Sequence, residues 1–219
     1  MFLKRVASCY SFCMTARQLA FLGFAILLLM PTLYFVFIDD KKITNYPPKN
    51  QKVVAFGDSL IEGVGSTASN DFVSVAGRRL GIEIVNKGKS GDTTEAALAR
   101  VDDVLAEEPG IVIVLLGGND ALRRIPKKET FRNLSTIIER FQGAGAVVVL
   151  LGVRGGILSD GYEADYNELS KKYHTAYVSN ILDGLIGNTK YMYDGIHPND
   201  AGYSIVADRV GSVLQKVVY

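Results

Sequence analysis

From Val53 onward the chain alternates short, unbroken apolar runs with longer segments in which apolar residues recur every three or four positions. The runs Val53–Phe56, Ile82–Val85, Ile111–Leu116 and Val147–Leu151, with the shorter Ala176–Val178, predict strands. Asp71–Leu80, Thr93–Glu107, Lys128–Gln142 and Tyr162–Tyr173 read as helices between them, and Asn199–Val217 as the last helix. In that last segment Ile205, Val206, Val210, Val213, Leu214 and Val217 fall at helical spacing and predict its inner face. Strands that are apolar throughout are covered on both faces. The pattern therefore predicts an α/β fold with a central parallel sheet, and places any site at the carboxyl ends of the strands.

Ahead of this domain, Leu19 to Ile38 form 20 uncharged residues, enough at ~1.5 Å per residue to cross a ~30 Å hydrocarbon core. A cleaved secretory signal has a shorter apolar core and ends in small residues, whereas this segment ends in Tyr34-Phe35-Val36-Phe37-Ile38. The expectation is an uncleaved single-pass anchor over 19–38, following a short segment 1–18. Ile43–Lys52, with Pro47-Pro48, reads as a tether, so a linker over 39–51 precedes a globular domain over 52–219. Lys and Arg are nearly balanced on the two sides of the span, and the globular domain is expected on the extracytoplasmic side from the signal-like position of the segment.

Charge and cysteine content narrow the chemistry. Residues 1–38 hold Lys4, Arg5 and Arg17 and no acidic residue, which leaves 21 basic and 23 acidic residues from Asp39 onward. A near-neutral domain offers no concentrated basic face, so nucleic acid is not an expected partner. Both cysteines, Cys9 and Cys13, precede the apolar segment, and His174 and His197 are the only histidines. A zinc site of Cys/His type is close to excluded, and the expectation is chemistry without metal or cofactor.

Three segments at predicted strand ends carry the chemistry. Gly57-Asp58-Ser59-Leu60 follows the first strand, where a serine at a strand-to-helix turn presents its hydroxyl at the top of the sheet. Asp58-Ser59 equally suits a helix cap. Gly117-Gly118-Asn119-Asp120 follows the third strand, and the Asn119 amide is a neutral donor suited to an oxyanion; an Asx-turn is the structural alternative. In Asp194-Gly195-Ile196-His197-Pro198 one compact loop lets a carboxylate orient one imidazole nitrogen while the other faces the serine. Gly91, after the second strand, can offer an unobstructed N–H, or belong to a turn before the next helix. His174, beside Lys171-Lys172, reads as a surface residue. Gly63-Val64-Gly65-Ser66-Thr67-Ala68 matches the dinucleotide fingerprint, but six residues separate it from the strand it should follow directly.

Four ordered blocks together resemble the SGNH/GDSL hydrolase superfamily: Val54-Ala55-Phe56-Gly57-Asp58-Ser59-Leu60, Gly91 within Ser90-Gly91-Asp92-Thr93, Gly117-Gly118-Asn119-Asp120, and Asp194-Gly195-Ile196-His197-Pro198-Asn199. The likeness spans residues ~52 to 217. Gly117–Arg123 and Tyr166-Asn167-Glu168 look most like its bacterial multifunctional acyl-CoA thioesterase, lysophospholipase and arylesterase branch. The resemblance implies a flavodoxin-like three-layer α/β/α sandwich. It also implies a Ser59, Asp194 and His197 triad, with an oxyanion hole from the Ser59 and Gly91 N–H groups and the Asn119 side chain. A membrane-anchored serine hydrolase of esters or thioesters is the function expected. The rivals are an acyltransferase or deacetylase acting on a cell-envelope sugar or lipid, and a binding domain that kept the scaffold.

Overall fold

Five strands, β1 (Val53–Gly57), β2 (Ile84–Gly88), β3 (Ile111–Leu115), β4 (Val147–Leu151) and β5 (Ala176–Val178), pair in parallel in the order β2-β1-β3-β4-β5. They come from a computed structural model that describes residues 43–153 and 161–219. Eight helices lie among the described residues: α1 (Ser59–Glu62), α2 (Phe72–Leu80), α3 (Thr94–Leu98), α4 (Val101–Leu105), α5 (Gly118–Leu122), α6 (Lys127–Gly143), α7 (Gly161–Tyr173) and α8 (Asp200–Val218). One group packs α2 against α8; the other joins α3 and α4 to α6, and α6 to α7. Helices connect every pair of successive strands, as parallel pairing requires. After β2 the chain moves to the other side of β1, so strand order reverses between β1 and β3. In open sheets that reversal opens a crevice at the strands' carboxyl ends.

The three interior strands are buried along their whole length, which is why they read as unbroken apolar runs. β2 lies at an edge, is only partly buried, and carries Asn86 and Lys87. Its predicted span, Ile82–Val85, is therefore shifted. Ile82 N–H closes the end of α2 on Gly77 O, and the strand runs on through polar residues to Gly88. The helix expected over Thr93–Glu107 is two helices. Arg100 has φ −118° and ψ 17°, outside helical geometry, because its side chain is drawn under the sheet end.

The stretch read as a tether is fastened to the domain. Thr44 N–H donates to His174 O at 2.9 Å, and Asn45 Nδ2 donates to Gln142 O and Ala146 O at 2.8 and 3.0 Å. Lys49 Nζ reaches Ala144 O at 2.9 Å. These acceptors precede β4 and β5, so residues 43–50 run beneath the amino ends of the strands, opposite the crevice. The anchor expected over 19–38 lies outside the described residues. Among the described residues no helix is long and apolar enough to cross a membrane.

Phe56 of β1 meets Phe141 of α6 edge to face, with ring centroids 5.6 Å apart. Ile113, at the centre of β3, is fully buried. Ile113→Ala should lower unfolding stability by about 2–5 kcal/mol in a denaturant titration. Leu122→Ala, at a side chain 52% exposed, should change it by less than about 0.5 kcal/mol.

Candidate active site

At the end of β1 the chain turns at Asp58, whose Oδ1 accepts the Leu60 N–H at 3.0 Å and caps α1. Ser59 is the first residue of that helix, where an α-helix leaves its N–H without an intrahelical acceptor. Asp58 makes the cap, which leaves the Ser59 hydroxyl free of that role. Ser59 is 8% exposed and lines a cleft.

Asp194 and His197 reach Ser59 from the turn before α8. That turn closes on itself: Tyr193 N–H donates to His197 O at 2.8 Å, and Met192 and Pro198 form a bridge. Asp194 Oδ1 accepts the N–H groups of Ile196 and His197 at 2.8 and 2.7 Å, and Oδ2 lies 2.8 Å from His197 Nδ1. His197 Nε2 stands 2.9 Å from Ser59 Oγ. Desolvation alone would raise the pKa of Asp194, but the hydrogen bonds from His197 and the two backbone N–H groups outweigh it and hold the carboxyl below its usual range. The carboxylate is thus anionic wherever the imidazole needs an oriented partner.

The glycine pattern Gly63–Ala68 is the seat of this turn. A Cβ on Gly65 would stand 2.6 Å from Pro198 O and 2.9 Å from Tyr193 Cβ, so only glycine admits such close approach. Tyr203 Oη donates to Val64 O at 2.8 Å, and Asp200 accepts from Thr67 N–H and Oγ1 at 2.7 and 2.6 Å. No helix opens at the pattern's third position, and the loop holds backbone where a fingerprint would hold pyrophosphate. His174 is exposed, as expected of a surface residue.

Asn119 lies in the first turn of α5, across the strand reversal from Ser59. Its Nδ2 donates to Asp92 O at 2.9 Å, which fixes the amide and leaves its second N–H. The bend before it needs glycine: Gly117 has φ +116°, and a Cβ there would fall 2.4 Å from Tyr166 Oη, which donates to Leu116 O. Asp92 pairs with Arg100 Nε at 2.6 Å, and Arg100 also donates to Lys87 O and Gly57 O at 3.0 and 2.9 Å. The loop carrying Gly91 is thereby tied to the ends of β1 and β2. Among the described residues no acceptor takes the Gly91 N–H. Behind Asn119, buried Asp120 accepts from Thr94 N–H and Oγ1 at 2.9 and 2.5 Å. So all five predicted site residues stand at the carboxyl ends of β1, β2 and β3 or in the turn before α8.

The cleft has a volume of about 500 Å³. Ser59, Asn119 and His197 lie on it together with apolar Leu60, Leu122, Val153, Leu182, Ile186 and Ile196. An N–H donor, an oriented imidazole and a serine hydroxyl beside an apolar cavity suit attack on an acyl carbonyl. Among the described residues no group of three or more His, Cys, Asp or Glu side chains gathers as metal ligands.

Residues 55–205 match the GDSL-like Lipase/Acylhydrolase family. The chain belongs to that family. It is 32% identical over 180 residues to the esterase TesA of Pseudomonas aeruginosa, across 77% of this chain and 90% of that one. Over 175 residues it is 29% identical to the thioesterase 1/protease 1/lysophospholipase L1 of Escherichia coli K12, across 76% of this chain and 84% of that protein. A crystal structure of TesA superposes with a TM-score of 0.71 at 30% identity, covering 76% of this chain and 99% of the other. This GDSL-like chain is a hydrolase of ester bonds with the α/β architecture of its family.

Sequence reasoning missed Arg100 and Asp120, whose partners lie 8 to 43 and 26 residues away, and gave no role to the burial of Asp58. Burial pushes the Asp58 carboxyl up to about 7, from an ordinary 3.8; Leu60 N–H and His197 oppose the rise, and Asp92 and Asp120 add to it. The folded chain holds this proton where the unfolded chain has released it, so stability falls as pH rises from about 4 to about 7. Asp58→Asn should remove that slope. Its melting temperature relative to wild type should climb between about pH 4 and pH 8, by an amount worth at most about 4 kcal/mol. A constant difference would count against a raised Asp58.

Proposed function

We propose that this chain cleaves carboxylic esters or thioesters through an acyl-Ser59 intermediate, with Asp194 and His197 completing the triad. The observation that carries the reading is the relay from Asp194 Oδ2 to His197 Nδ1 at 2.8 Å and from His197 Nε2 to Ser59 Oγ at 2.9 Å. His197 Nε2 takes the Ser59 proton as Oγ bonds to the acyl carbon, and the carbonyl π electrons move to oxygen. The Ser59 N–H, Gly91 N–H and second Asn119 Nδ2–H stabilise that oxyanion. The intermediate collapses as the bond to the leaving oxygen or sulfur breaks and His197 returns the proton to it. Water repeats the sequence on the acyl-enzyme, freeing the carboxylic acid and Ser59.

The apolar cleft supports aryl esters, lysophospholipids and acyl-CoA thioesters as substrate classes, since each joins an apolar group to a reactive acyl bond. We also infer that residues 19–38 anchor the chain in a membrane as a single pass, with the hydrolase domain on the extracytoplasmic side. The support is 20 uncharged residues in a row. The chain should stay with membranes through an alkaline wash, and deletion of residues 1–38 should release it.

Ser59→Ala should abolish both hydrolysis of a chromogenic short-chain ester and labelling by a fluorophosphonate. Wild-type turnover in that variant would sink the assignment. Asn119→Ala should lower kcat by about 10²–10³ with the serine still labelled at a reduced rate. An unchanged kcat would remove Asn119 from the oxyanion hole.

A further inference from the structure

An oxyanion hole drawn from Ser59, Gly91 and Asn119 needs donors from three segments to stand ~2.7–3.1 Å from one oxygen. Pairing of β1 with β2 and β3 runs only to Gly57, Gly88 and Leu115, so it ends before any of the three donors is reached. Side-chain bonds must fix what lies beyond. The Arg100 guanidinium donates to Gly57 O at 2.9 Å, just ahead of Ser59, and to Lys87 O at 3.0 Å. Its Nε pairs at 2.6 Å with Oδ2 of Asp92, the residue after Gly91. Asp92 O in turn accepts from Asn119 Nδ2 at 2.9 Å. The backbone of α5 is held separately, by the bonds from Thr94 to Asp120, so Asp92 O governs the rotation of the Asn119 amide.

Other bonds reach the Gly91 loop from its outer side. Glu62 Oε2 accepts the Ser90 N–H, and Arg123 Nη2 donates to Gly91 O at 2.9 Å. Both side chains are exposed, where water competes and such contacts contribute little. Arg100 and Asp92 are different, with side chains only 17% and 6% exposed. At that depth a carboxylate that loses its cation is strongly disfavoured, and its loop shifts to find water.

We infer that Arg100 is a positioning residue for the oxyanion hole: through Asp92 it sets the Asn119 amide and the Gly91 N–H, and through Gly57 it holds both in register with Ser59. The inference rests on the reading of Ser59 as nucleophile and Asn119 as oxyanion donor. Arg100 does not line the cleft, so its replacement disturbs contacts made in the transition state and leaves the apolar binding wall in place. Displacement of a donor by about 1 Å is enough to slow a reaction by about 10².

Lysine keeps the charge but concentrates it on one nitrogen, which cannot span the carboxylate and two carbonyls that the planar guanidinium reaches together. Arg100→Lys should lower kcat for a chromogenic short-chain ester by about ten- to a hundredfold, measured well below its melting temperature, with KM within about threefold of wild type. A role in stability alone would lower the melting temperature and leave the kcat of the folded enzyme unchanged. Fluorophosphonate labelling rates then close a double-substitution cycle with Asn119→Ala. The slowing caused by Arg100→Lys should shrink at least about threefold once the Asn119 amide is absent, because the two substitutions damage the same hole. An unchanged kcat in Arg100→Lys, or the same proportional slowing with and without Asn119, overturns the inference. Asp92→Asn, which weakens the pair from its other side at similar shape, repeats the cycle should lysine prevent folding. Hydrolysis that survives Ser59→Ala, or full kcat in Asn119→Ala, would instead sink the reading of the site and this inference with it.

Discussion

Beneath the cleft, the Arg100 guanidinium ties the paired ends of β1 and β2 to the loop that follows β2. It donates to Gly57 O at the end of β1 and Lys87 O near the end of β2, pairs with Asp92 in the following loop, and lies 4.5 Å from the centre of the Phe56 ring. Each contact compensates another. A half-buried cation is tolerable because a carboxylate, two carbonyls and an aromatic face surround it, and Gly57 O accepts from it alongside the Lys89 N–H. The Asp92 carbonyl in turn holds Asn119. Serine, glycine and asparagine thus keep their spacing through one side chain that touches none of the reacting atoms.

That arrangement also explains which parts of the fold could be read along the chain. β1, β3 and β4 are legible because burial on both faces forces an unbroken apolar run, and α8 because its buried face repeats at helical spacing. β2 was displaced because an edge strand needs no such run. The break between α3 and α4 has no local signal: Arg100 is an ordinary helix former, and its partners are set by the sheet. Asn45 and Lys49 resemble tether residues and are bound because their donors meet carbonyls at the foot of β4. The site residues were legible for the opposite reason, since each sits in a short segment at a strand end with side chains that such turns need. Asp120, Tyr166 and Arg209 act through partners 26, 50 and 28 residues away, where no spacing rule applies.

Asp58 and Asn180 break the rule that buried polar groups be fully compensated, and both line the cleft. Asp58 is retained by a local demand, since its carboxyl caps the helix on which Ser59 stands. The interior strands and α6, which do not reach the cleft, follow the rules of burial without exception. Departures from those rules concentrate where ligand is handled, as expected when function and stability compete for the same positions.

Asp194 and His197 stand at the two ends of a four-residue turn whose internal bonds are all local, at the surface, with Tyr193 68% exposed. It is held against the rest of the domain by the close approach at Gly65, the Tyr203 hydroxyl, the bonds from Thr67 to Asp200, the Ser59–His197 contact and the burial of Met192 in the core. The hydrogen bond between Asp194 and His197 is therefore set within one short turn, whereas the distance from His197 to Ser59 is set by how that turn sits on the Gly63–Ala68 loop. A substitution in that loop can displace both side chains together without disturbing the bond between them.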